Sequence, residues 1–447
     1  MKSMSLNPSI RYALATVVIS LVVIAAWFGL VVYNAPGPAV GNIPGTQTGE
    51  SDIAGIYFVK SNLERETSPQ ATPQDLTELI EGNSSFAFDL YQKIRSDSGN
   101  LFFSPYSIST ALAMTYAGAR GETEQQMAQA LHFTLPQDRL HPAFNALDLA
   151  LVDNGNDNFR LNIANSLWGQ YGFSFENDFL DVLALNYGAR MWLVDYITNA
   201  ENARTKINYW VSEHTENRID NLLPPGSVDS CTRLVLTNAI YFKATWQNKF
   251  DEQDTKEETF TRLDNSQVTV PMMVQSERLR YAEGTGYQAV ELPYADADVS
   301  MLIILPTLDN FNEFESSLGP ELVSAIENGL QYQEVDLKMP KFEFEASLGL
   351  SDGLKQMGMT AAFSLPPADF SGINDENSLF ISEVLHKGFV SVDENGTEAA
   401  AATAVIVATM SLPPPPIPMT IDHPFIFMIR HNNDSILFLG RVLDPTA

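Results

Sequence analysis

Gly284-Thr-Gly-Tyr-Gln-Ala289 has the Gly-x-Gly-x-x-Ala spacing of a dinucleotide-binding turn. That chemistry needs a helix next, so that its N-terminus can hold a pyrophosphate. Val290-Glu-Leu-Pro293 follows instead and reads as a strand, so no cofactor is assigned. The chain has no phosphate-cradling Gly-Lys-Ser/Thr, no His-Glu-x-x-His and no Gly-x-Ser-x-Gly. Its 6 histidines are scattered and none stands at metal-ligand spacing, so no metal is assigned and no catalytic residue is named. A single cysteine, Cys231, excludes an intrachain disulfide framework.

The informative segment lies near the C-terminus. Phe389 to Asp393 reads as a strand, followed by Glu394-Asn-Gly-Thr-Glu398, Ala399 to Ala402, Thr403, and a run through Met410-Ser411-Leu412 into Pro413 to Pro416. Alanine favours helix, but Asn395-Gly396 precedes the run and β-branched residues follow from Thr403. As a strand the segment has two faces. Thr397, Ala399, Ala401, Thr403, Val405 and Val407 form a small, buryable face, and Glu398 on the other face is the only charge from Thr397 to Met410. Proline removes a ladder donor, so whatever enters a sheet must stop before Pro413.

The elements that position this segment follow a broader pattern. With 447 residues, 45% hydrophobic and 18% charged, the chain is long enough for a large core. A net charge of −29 argues against nucleic-acid binding and against anionic lipid as a partner. Helical spacing appears at 86–94, in two stretches of 107–131 broken near Gly118 and Gly121, and at 203–219. Strands are predicted at 234–242, 301–305, 335–344 and 436–442. Helices early and strands late suggest an α+β fold.

Tyr12 to Tyr33 is an uncharged apolar run preceded by Lys2 and Arg11, long enough for a bilayer core. The expectation is a cytoplasmic stretch at 1–11, a transmembrane anchor or signal segment at 12–33, and a Pro/Gly/Ser-rich linker at 34–78. A signal peptide cleaved after Ala39 is the rival. Both readings export the remainder, giving a single-pass membrane protein with its globular part outside, or a secreted one.

The C-terminal segment resembles the hinge and reactive loop of inhibitory serpins. Further matches stand in family order: Asn100-Leu-Phe-Phe-Ser-Pro-Tyr-Ser-Ile-Ser109, Thr237-Asn-Ala-Ile-Tyr-Phe-Lys243 with Trp246 and Phe250, Met339-Pro-Lys-Phe342, Pro424 to Phe427, and Ile436 to Arg441. The resemblance runs from residue 79 to 447. It implies helices packed around a large mixed five-stranded central sheet, two smaller sheets and an exposed reactive loop. It implies a suicide substrate, not an enzyme, that is cleaved at Met410-Ser411 and traps the acyl-enzyme by inserting its loop. The hinge would be Glu394, Gly396, Thr397, Glu398, Ala399, Ala400, Ala401, Ala402 and Thr403. Ser104, Ser107, Asn238 and His386 would form a cluster where the sheet opens, with Lys341 and Glu394 paired near Trp246 at the insertion point.

Met410 suits a serine protease with a hydrophobic primary pocket, and Val407, Ala408 and Thr409 favour elastase-, chymotrypsin- or subtilisin-like partners. The inhibitor is expected to be a monomer without cofactors. Ala244, where the family usually carries glycine, is expected to crowd a turn without touching the mechanism. The stretch 411–424 is longer than usual. The alternatives are a non-inhibitory serpin serving as chaperone or carrier, and a membrane-tethered hydrolase.

Overall fold

Leu234–Thr245 is the strand around which the fold is arranged. Its sequence LVLTNAIYFKAT is buried almost throughout, as expected of a strand covered on both faces. In the computed structural model, which describes residues 45–447 except 54, 96–98, 153–158, 296–297, 377–378 and 398–414, it lies at the centre of a mixed sheet. Phe159–Gln170 pairs antiparallel on one side and Glu383–Val392 parallel on the other. Met191–Val194 and Phe342–Gly349 complete the five strands expected. Two features enlarge that sheet to eight strands: an N-terminal hairpin, Thr46–Glu50 with Tyr57–Ser61, on the edge beside Met191–Val194, and the two-residue strand Gly396–Thr397.

The helix Tyr196–His214 presses Ile207, Trp210 and Val211 onto Trp168, Val235 and Ala239 of the sheet. The second sheet differs from the two small ones expected. The 18-residue strand Gln267–Gly284 pairs with Lys256–Thr261, Gln331–Pro340 and Tyr287–Pro293, which joins them into one nine-stranded sheet.

The predicted strand at 335–344 is two strands. Gln331–Pro340 belongs to the second sheet and Phe342–Gly349 to the central one, with Lys341 as the corner between them. Val335, Leu337 and Met339 alternate in one phase and Phe342, Phe344, Ala346 and Leu348 in the other, so the period-2 pattern slips by one residue at Pro340-Lys341, a mark of the corner that a single strand at 335–344 overlooks.

The stretch read as linker is partly structured. Tyr57–Ser61 pairs with the sheet edge, and the first helix starts at Pro73, earlier than its apolar spacing indicated. Thr72 and Asp75 form a capping box there, with Pro73 in the first turn. The apolar run at 12–33 lies outside the described residues. The expected membrane or exported placement rested on that run alone and is corrected: among the described residues no helix is long and apolar enough to cross a membrane.

The hairpin is held by burial. Ile56 is fully buried in the cluster beneath the Tyr196–His214 helix, the ring of Phe58 meets Trp192 edge-on, and the Lys206 ammonium donates to the Gly55 carbonyl at 3.1 Å. Ile56→Ala is expected to destabilise the protein by about 2–4 kcal/mol, read as a lower denaturant midpoint. An unchanged midpoint would show that the hairpin contributes nothing to the core.

Candidate functional site

The ladder between the two central parallel strands runs from Val235 opposite Glu383 to Tyr241 opposite Phe389, and stops there. Beyond it the strands part, and the chain itself enters the gap. After Val392 it reverses in a turn fixed by the Asp393 carboxylate, which accepts from the backbone N–H of Asn395 (2.8 Å) and of Gly396 (3.2 Å). Gly396 and Thr397 then pair antiparallel with Thr245 and Ala244. Gly396 has φ +149°, and a Cβ there would stand 2.1 Å from the Ala244 carbonyl oxygen. Only glycine fits. The expectation for Ala244 is corrected accordingly: it sits in the ladder opposite hinge residue Thr397, not in a turn.

Side chains hold this seat from below. Thr397 is buried, and its hydroxyl lies 3.0 Å from that of Tyr294, whose ring stacks on Trp246 at 4.5 Å. Trp246 donates its indole N–H to the Asp393 carbonyl (3.0 Å) and its backbone N–H to the Asn395 carbonyl (2.9 Å). Glu394 is buried and accepts from the Lys341 ammonium and the Thr255 hydroxyl, both at 2.7 Å. Burial alone would raise the Glu394 carboxyl, but these hydrogen bonds outweigh it and hold it below the usual carboxylate range. The sequence-derived trio Lys341, Glu394 and Trp246 is thus brought together. Thr255 and Tyr294 were missed, since nothing in their local sequence points to the hinge. Glu398 to Thr403 and the bond Met410-Ser411 lie outside the described residues.

Ser104, Ser107, Asn238 and His386 also meet. His386 and Asn238 are opposite each other in the parallel ladder, and Asn165 is opposite Asn238 on the other side. His386 is fully buried, and burial pushes its pKa down to about 3, so the ring is neutral. Its Nε2 accepts from the Ser104 backbone N–H at 3.3 Å, which leaves Nδ1–H to donate to the Asn238 carbonyl oxygen. The Asn238 amide in turn donates to Ser107 Oγ (2.7 Å) and to Asn165 Oδ1 (2.6 Å). The Ser107 hydroxyl donates to Asn165 Oδ1 at 3.0 Å, while Ser104 caps the helix Pro105–Tyr116 by accepting from the Ser107 N–H. Every donor direction agrees along the chain. Asn165 was missed; Asn162, Ser166 and Gln170 share its strand, and nothing in the sequence singles it out. Among the described residues, no group of three or more His, Cys, Asp or Glu could hold a metal ion.

Comparison with known proteins agrees with this arrangement. The family model for Serpin (serine protease inhibitor) matches residues 81–445. The leukocyte elastase inhibitor of Xenopus tropicalis is 44% identical over 372 residues, 80% of this chain and 97% of that protein. An uncharacterized serpin-like protein of Thermococcus kodakarensis is 42% identical over 371 residues, 82% of this chain and 86% of its own length. Among solved structures, the thermophilic serpin tengpin in its native state superposes with a TM-score of 0.78 at 30% identity, covering 86% of this chain and 97% of that one.

The neutral His386 makes a pH prediction. Above its ordinary pKa near 6.5 the ring is neutral folded or unfolded, and pH has no effect through it. As pH falls from there toward 3, the unfolded chain takes up a proton that the folded chain refuses. Stability is therefore expected to fall through that window by up to about 1.4 kcal/mol per pH unit. The variant His386→Gln is expected to be less stable at neutral pH but to show a shallower acid slope. Equal slopes in wild type and variant would remove His386 from the acid response.

Proposed function

The chain belongs to the serpin family of serine protease inhibitors, which are not enzymes, and on that premise we propose that it works as a suicide substrate cleaved between Met410 and Ser411. The observation that carries the reading is the seating of Gly396 and Thr397 in the gap between two strands whose own ladder ends at Tyr241 and Phe389. A strand that grows from this seat continues with Glu398, Ala399 and the small residues to Thr403, which a sheet interior accepts on the Thr397 side.

The target protease attacks Met410 and forms its acyl-enzyme. Cleavage frees the loop to extend the Gly396–Thr397 strand along Leu234–Thr245, and the attached protease is carried with it. About fourteen residues at roughly 1 kcal/mol net per hydrogen bond would supply on the order of 10–15 kcal/mol, a driving force adequate to distort an acyl-enzyme before water releases it. The gap can receive the strand because the contacts across it are polar and can be exchanged. The network of Ser104, Ser107, Asn165, Asn238 and His386 ties the two parallel strands to the helix below. Its members must exchange partners as the strands part.

Met410 is unbranched and apolar, which fits a hydrophobic primary pocket and not one that carries a carboxylate. Thr409, Ala408 and Val407 are small, as elastase-, chymotrypsin- and subtilisin-like proteases accept. The relatives named leukocyte elastase inhibitor support that class.

Incubation with proteases of these three types is expected to give a denaturant-resistant adduct on a gel and a released peptide that begins at Ser411. A peptide starting elsewhere moves the bait bond, and a simple nick with no adduct sinks the trapping mechanism. A second variant tests the seat. Thr397→Arg would place a charge where the side chain is buried against Tyr294, at a cost of several kcal/mol. It is expected to be cut at the same bond and turned over as substrate; unchanged stoichiometric trapping would refute the assigned face.

A further inference from the structure

Beside the hinge, on the far side of Tyr294, lies a cleft of about 310 Å³ lined in part by Gln247, Arg278, Arg280, Tyr294, Tyr332 and Asn432. Its size falls at the lower end of small-ligand sites. Neither the loop nor the sheet-opening network uses it.

Its cations are unequal. The Arg280 guanidinium is taken by Glu291, whose other oxygen accepts from the Ser300 hydroxyl at 2.7 Å. Arg278 has no carboxylate or carbonyl partner among the described residues. Glu334 stands opposite it in the ladder without an ion pair, and the guanidinium instead lies 5.6 Å from the centre of the Tyr332 ring. Tyr332 itself is 63% exposed. In a chain with 55 acidic and 26 basic side chains, a guanidinium without an acidic partner at a cleft is an unused binding group. A guanidinium lying on an aromatic face keeps its in-plane N–H donors free, and their fork matches the two oxygens of a carboxylate or phosphate. The net charge of −29 would repel an anion at long range, but at physiological salt it is screened beyond about 8 Å, and the local donors decide.

We propose that this cleft binds a small oxyanion, a carboxylate or phosphate seated on Arg278, and that its occupant restrains the loop hinge through Tyr294. The path is short. Tyr294 forms the cleft wall, and its hydroxyl holds Thr397. The Gln247 N–H donates to the Pro293 carbonyl at 2.9 Å, so the wall is continuous with the Trp246 support of the hinge turn. The binding half stands on the cleft alone, whereas the hinge's part in trapping rests on the function proposed above.

The test uses the full chain and two probes, citrate and inorganic phosphate, titrated calorimetrically at neutral pH against sodium chloride of matched ionic strength. Saturable binding of one of them is expected, and whichever binds identifies the ion class. Arg278→Gln, at an exposed position, is expected to bind about tenfold more weakly, the loss of a charge-assisted hydrogen bond. The bound probe is expected to slow amide exchange at Thr397 in wild type. In Tyr294→Phe, which keeps the ring but not the hydroxyl, the probe is expected to bind and leave Thr397 unchanged. Absence of saturable binding by either probe, or equal affinity in Arg278→Gln, overturns the site. Binding without slowed exchange at Thr397 in wild type overturns the coupling. No readout involves a protease, so failure of the inhibitor reading leaves these results standing.

Discussion

Everything in this molecule depends on two parallel strands that share a ladder for part of their length and then part. Strands 234–245 and 383–392 are registered from Val235 to Tyr241 and no further. A parallel ladder is slightly weaker per residue than an antiparallel one, and here it is also short. The antiparallel ladders flanking it are longer, from Phe159 opposite Ala244 to Gly169 opposite Leu234 on one side and along all of Phe342–Gly349 on the other. Between its two flanking antiparallel ladders this is the weaker line, and the loop's first residues stand at its open end.

The chemistry along that line follows from the same constraint. Had Asn238 and His386 been leucine and valine, the interior between the sheet and the Pro105–Tyr116 helix would pack without polar groups, and separation would expose only apolar surface. The observed network is buried, neutral and satisfied, so it holds the strands in one register while its members can find other partners. Burial keeps His386 uncharged; a protonated ring would present a second donor to the Ser104 N–H and break the chain of donors. At the other end, the Lys341 side chain is 37% exposed while Glu394 is buried, so water screens the pair from the lysine side. What secures the hinge turn is backbone geometry: the Asp393 side chain on two N–H groups, and a glycine where no Cβ fits.

Much of this could be read from the sequence because the residues involved lie in recognisable local patterns. The hinge stands out as small residues after Asn395-Gly396, whereas Ser104, Ser107, Asn238 and His386 came from the family resemblance, with Asn238 in the strand predicted at 234–242 and His386 ahead of the one predicted from Phe389. What could not be read is what depends on the sheets' mutual arrangement. The alternation of residues 335–348 slips by one at Pro340-Lys341, which marks a break, but nothing in hydropathy says that the two halves belong to different sheets. The merging of the second sheet depends on the length of Gln267–Gly284, and Tyr294 reaches Thr397 only because the two sheets come together at Trp246. The strand at 57–61 was obscured by the polar sequence around it; its burial comes from Ile56, Val59 and the helix above them.

The two-residue strand has a consequence out of proportion to its size. Two ladder residues contribute about 1 kcal/mol each, far less than complete insertion would. In the proposed mechanism, however, they settle the register before cleavage. A strand that slips by one residue turns every side chain to the opposite face. With Gly396 opposite Thr245 and Thr397 opposite Ala244, the Thr397 side chain points at Tyr294. The proposed insertion, continued from that seat, would send Ala399, Ala401, Thr403, Val405 and Val407 to the same side and Glu398 to the other. The seat also spares the inserting strand its nucleation step, since the turn is already closed and only extension remains. In the proposed mechanism trapping is a race between extension and hydrolysis of the acyl bond, and a strand that begins in register with its reversal complete has neither step left to make.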